Sequence, residues 1–86
     1  MMSATTDEFT RELRSLLVAS EQMGLSAVEL TAGALHRRVG GYPRTDHRMP
    51  SCCGAMRKAM SYKDIVVSEP EQGAGASLRI RYQLPR

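Results

Sequence analysis

The stretch GGYPRTDHRMPSCCGAMRKAM, residues 40–60, holds most of the side chains that could do chemistry in this chain. Cys52 and Cys53 are adjacent, His47 follows Asp46, and His36 lies just upstream. Metal binding is the first chemistry to test. Structural zinc sites draw on spacings such as C-x2-C and H-x3-H, and neither occurs here. Adjacent residues of a helix point about 100° apart, so joint ligation by Cys52 and Cys53 would be awkward. A nucleophilic thiol is the second. A helix N-terminus, with His47 or Arg48 nearby, would lower a thiol pKa, but Asp46 is the one acid placed to orient a base. GAGAS at 73–77 lacks the lysine of a phosphate loop and enters a strand, whereas phosphate loops open a helix. The residues imply no catalysis, no metal and no cofactor.

The bases carry more information. The net charge is +3, unevenly spread. Residues 1–30 hold Asp7, Glu8, Glu12, Glu21 and Glu29 against Arg11 and Arg14, while residues 31–86 hold ten bases against four acids. A basic C-terminal two-thirds suits an anionic partner, although a solvated basic face would look the same.

These side chains are expected to be positioned by a single domain spanning 1–86, since 86 residues make one domain with little spare length for a second function. One Phe, three Tyr and no Trp leave the core to Leu, Val, Ile, Ala and six Met. Met fills gaps without specifying shape tightly. No apolar run approaches the roughly 20 residues that span a bilayer. The start lacks a basic segment followed by an apolar one, and neighbouring cysteines rarely bridge each other. A reducing cytoplasm, with no membrane association, is the expected home.

The periodicity predicts a helix over 5–23. Thr5 and Glu8 form a capping-box pattern, Phe9, Leu13, Leu16, Leu17 and Met23 share a stripe, and Gly24–Leu25 reads as a glycine C-cap. LSAVELTAGALHRRVGG parses either as one helix over 26–39 or as an extended Ala27–Leu30 with Thr31 capping a helix Ala32–Val39. The second parse is preferred, since Gly33 weakens a long helix and Thr31 is a good N-cap. Leu30, Leu35 and Val39 then point inward. His36 sits near the helix C-terminus, where partial positive charge is favoured. Tyr42–Pro43 reads as a loop anchor or an aromatic at a partner surface.

Pro50 suits the first turn of a third helix. Met49, Cys52, Cys53, Met56 and Met60 follow core spacing, which makes the cysteines structural, and the opposite face presents Ser51, Gly54, Ala55 and Lys58 with Arg57 beside it. Asp64–Ser68 and Ser77–Leu84 predict a hairpin, with Leu78, Ile80, Tyr82 and Leu84 on one face and Arg79, Arg81 and Gln83 on the other. PEQGAGA would be its flexible, outward-reaching tip. The expected fold is α+β: three helices followed by a C-terminal two-stranded β-hairpin.

This order of elements resembles the winged-helix branch of the helix-turn-helix group. VELTAGALHRRVGG would be the short strand and second helix, PSCCGAMRKAM the third helix, and IVVSEPEQGAGASLRIRYQL the wing. Leu30-Thr31-Ala32 followed by Leu35 is similar to the second-helix entry of such domains. The strings LHRRVGGYP, HRMPSCCGAM and GASLRIRYQLPR also look like a small bacterial protein type that carries no assigned activity. Gly40–Met49 departs from the pattern, being far longer than the turn of about 3–4 residues.

The winged-helix resemblance implies DNA binding. Ser51, Ala55 and Lys58 would approach a groove, Arg57 would flank them, and Arg44, Arg48, Arg79 and Arg81 would hold phosphates. The first helix would serve as scaffold and as a homodimer surface. The alternative is an interaction adaptor, docking on a larger protein such as a nuclease through the GGYPRTDHRMP loop and the basic hairpin.

Overall fold

The computed structural model describes residues 6–39, 48–71 and 73–86. The chain forms α1 (Thr6–Gln22), β1 (Ala27–Thr31), α2 (Ala32–Val39), α3 (Met49–Lys58), β2 (Ile65–Ser68) and β3 (Arg79–Gln83). The strands make one antiparallel sheet in the order β1-β3-β2, so the fold is α+β with three helices. The expected two-stranded hairpin is corrected to three strands. β3 would otherwise leave one edge unpaired, and β1 closes that edge with register pairs from Ala27–Gln83 to Thr31–Arg79. Its central position explains why β3 alternates most cleanly: Leu78, Ile80, Tyr82 and Leu84 are all buried.

α1 carries Asp7 and Glu8 in its first turn, where the helix dipole favours negative charge. It buries Phe9, Leu13 and Leu17 at i, i+4 and i+8. Full burial of such side chains stabilises by about 1.5–3 kcal/mol each. The helix stops at Gly24, whose φ of 84° lies in the region glycine tolerates. Gly24 N–H donates to the Glu21 carbonyl and Leu25 N–H to the Ser20 carbonyl, the paired bonds of a Schellman cap. Met23 does not join the core stripe; it lies just past the end of α1 and is 76% exposed. The Thr5 half of the capping box lies outside the described residues.

The split parse of residues 26–39 holds. Thr31 Oγ1 accepts the Ala34 N–H at 3.1 Å, an N-cap bond. The two preceding amides are bonded from outside the helix: Ala32 N–H donates to the Leu78 carbonyl and Gly33 N–H to the Ala76 carbonyl. Gly33 is small for that reason. A Cβ there would meet the Ala76 Cβ at 3.2 Å and its carbonyl oxygen at 3.3 Å.

The two ends of PEQGAGA are therefore packed and do not reach outward. Pro70 is buried, Ala76 packs on the core, and Gly75 accepts from Cys53. Gly75 lies close to Pro70, whose Cβ a side chain there would meet at 3.1 Å, and Gly73 takes a φ of 77° that glycine tolerates. Helices and sheet meet over one core of Phe9, Leu13, Leu35, Cys52, Met56, Ile80 and Tyr82. Tyr82 Oη donates to the Met56 carbonyl at 2.8 Å, tying the sheet to α3. Among the described residues no helix is long and apolar enough to cross a membrane.

Candidate nucleic-acid interface

α3 begins at Met49 with Pro50 in its first turn, where a missing N–H costs nothing. Its entry is fixed by His36, which lies in the last turn of α2 as expected. His36 is fully buried, and its Nε2 accepts the Arg48 backbone N–H at 3.0 Å. The ring packs 5.2 Å from that of Phe9. His36 on α2 thereby sets where α3 starts, whatever the length of the connection between them. Ala32, Leu35, His36 and Val39 share the i, i+3, i+4, i+7 stripe, which was the available signal.

Two faces of α3 are covered. Cys52 Sγ lies 3.4 Å from the Ala32 carbonyl and Cys53 Sγ 3.4 Å from the Gly75 carbonyl. Both are free thiols. Burial pushes Cys52 up to about 12, the neighbouring Cys53 adding to the effect. Burial also raises Cys53, against the opposing charge of Arg57. These are protonated core thiols, poor nucleophiles and poor metal ligands at neutral pH. Ala55 is corrected as well: it is 1% exposed and packs towards α1, on a helix face that the expectation left open. Three packed neighbours, α1, α2 and the 69–78 segment, enclose more of α3 than one apolar stripe would.

The open face carries Pro50, Ser51, Gly54 and Lys58, with Arg48 at its start and Arg57 on its flank. Ser51 and Arg57 are half-buried; Arg48, Gly54 and Lys58 are exposed. Gly54 stands mid-helix with nothing within 4 Å of a would-be Cβ. Among the described residues Lys58 makes no ion pair. Arg57 is engaged: one terminal nitrogen donates to Glu69 Oε1 at 2.8 Å and to the Gly73 carbonyl at 3.1 Å.

Arg79 and Arg81 lie elsewhere. They alternate with Ile80 and Tyr82, so they point from the sheet face that the helices do not cover. Both meet Glu29 across the β1–β3 ladder, Arg81 at 2.6 Å and Arg79 at 3.6 Å. The structure thus unites Arg48, Ser51, Arg57 and Lys58 and separates them from Arg79 and Arg81. Arg44 lies outside the described residues, as do Tyr42, His47 and the 40–47 part of the loop.

A groove of about 660 Å³ runs between α1 and the end of α3. Leu13, Leu17, Ala55 and Ala59 line it, with Arg14, Glu21 and Lys58 among its charged residues. No family model, no curated protein and no solved structure matches this chain.

Proposed function

We propose that this chain is a small, non-enzymatic DNA-binding domain of winged-helix type, which contacts duplex through the open face of α3. The observation that carries the reading is that face. Lys58 and Arg48 flank Ser51 and a mid-helix glycine with open space above it. Glycine inside a helix costs about 0.5–1 kcal/mol relative to alanine, and no neighbour in the described structure requires it at 54. Close approach of an outside surface would. The element order and the β1-β3-β2 sheet also support the winged-helix reading. Arg44 stays in the proposed contact set, while Ala55, Arg79 and Arg81 leave it. A cytoplasmic location goes with this reading.

Fluorescence anisotropy with a labelled random duplex tests it. Binding should appear in low salt and weaken steeply as salt rises, because neutralised phosphates release counterions. Gly54→Glu, which adds bulk and negative charge without displacing a neighbour, should leave folding intact and abolish binding. No duplex binding by the native chain in low salt overturns the reading.

A second reading has its own observation. The α1–α3 groove, with its apolar floor and the half-exposed Val18 beside it, favours docking on a larger protein or a second copy through α1. Sedimentation equilibrium decides the homodimer: a dimer lost in Val18→Glu supports it, and a monomer at all concentrations ends it.

A further inference from the structure

We propose that Glu69 is an internal competitor for the anion-binding site at Arg57, so that a phosphate replacing the Glu69 carboxylate unlatches the Gly73–Ala76 segment from α3. This rests on the DNA-binding reading for the identity of the phosphate, but the latch itself rests on geometry. Arg57 flanks the open face of α3, three residues after Gly54 and next to Lys58. One of its terminal nitrogens holds both Glu69 Oε1 and the Gly73 carbonyl. The same guanidinium therefore pins both ends of the turn between β2 and the segment that packs on α2.

The pair is built to be exchanged. The Glu69 side chain is 61% exposed and that of Arg57 36%. An exposed ion pair contributes little net stability and is screened by salt. A phosphate offers the same charge-assisted bonds to a guanidinium, with geometry that suits bidentate contact. Replacement would remove the bond to Glu69 and draw the nitrogen off the Gly73 carbonyl. Beneath lies Cys53, 2% exposed, whose thiol faces the Gly75 carbonyl. Its accessibility reports whether the segment is seated.

Two readouts test the proposal. In a Cys52→Ser background, native-state labelling of Cys53 should run several-fold faster in Glu69→Gln and Arg57→Ala than in the parent. At matched ionic strength, inorganic polyphosphate should accelerate labelling of the parent but not of Arg57→Ala. In anisotropy titrations Glu69→Gln should bind random duplex roughly 2- to 5-fold tighter than the native chain, with a salt slope steeper by about one phosphate.

Unchanged labelling in Glu69→Gln overturns the latch. Equal or weaker duplex binding by Glu69→Gln, where the native chain binds, overturns the competition. If duplex never binds but polyphosphate still unseats the segment through Arg57, the exchange stands and the DNA reading falls. If neither polyanion changes labelling, the exchange falls.

Discussion

At the scale of single residues, Asp64 shows how a surface-type side chain becomes structural. Its side chain is fully buried and accepts from the Ser61 N–H and Oγ, the Gln83 N–H and Arg86. Arg86 also donates to the Ala59 and Gln83 carbonyls and lies 5.4 Å from the centre of the Tyr82 ring. One carboxylate thus joins the end of α3, the start of β2 and the end of β3. Burial alone would raise its pKa, but the two backbone N–H groups and the guanidinium outweigh burial and hold it below the usual value. A folded pKa below the unfolded one means that the unfolded chain takes the proton first as pH falls. The stability contributed by Asp64 is therefore complete well above the ordinary Asp value of about 4 and lost below it. Asp64→Asn should cost about 2 kcal/mol at neutral pH, and its gap from the native chain should narrow in acid. Urea unfolding at pH 7 and pH 3 measures both, and a gap that is constant with pH would refute the charged role.

At the scale of elements, the two helical glycines make opposite predictions. Gly54→Ala should raise stability by about 0.5–1 kcal/mol, since alanine restricts the unfolded chain and meets nothing in the fold. Gly33→Ala should gain none of this, because its methyl would press on Ala76, whose carbonyl the Gly33 N–H already holds. Denaturant midpoints of the two variants check the contrast, and equal gains would show that the Ala76 contact gives way freely. The same contrast explains what could be read from the sequence. Thr31, Gly24 and the apolar spacings act over a few residues, so the boundaries of α1, α2 and α3 were legible within one or two positions. The role of Gly33 depends on Ala76, 43 positions along the chain, and the burial of Ala55 depends on α1 lying across α3. Neither distance leaves a local pattern. His36 falls between these cases, since its stripe was visible but not the Arg48 amide that it holds. For the interface, the sequence supplied the bases but not the acids that answer them: Glu69 and Glu29 become partners only when the sheet and its long connection are in place.

At the scale of the whole molecule, the described bases expected to meet phosphate divide between two surfaces, and the division can be measured. Arg48 and Lys58 stand on α3, whereas Arg79 and Arg81 sit on the uncovered sheet face with Glu29 between them. Cross-strand pairs of this kind offset charge locally, so the sheet face offers a phosphate far less net attraction than its two arginines, counted without Glu29, suggest. Charges farther apart than a Debye length of about 10 Å at 0.1 M salt are largely screened from each other. A duplex seated on α3 would accordingly register each basic residue by its place and not by its contribution to net charge. Lys58→Ala and Arg48→Ala should each reduce the slope of log affinity against log salt by about one. Arg79→Ala and Arg81→Ala, which lower the net charge equally, should leave that slope unchanged. Anisotropy titrations of the four variants across a salt series make the comparison. A slope lost at Arg79 and kept at Lys58 would place the duplex across the sheet, with Glu29 displaced from its arginines and the glycine of α3 left without a role in contact.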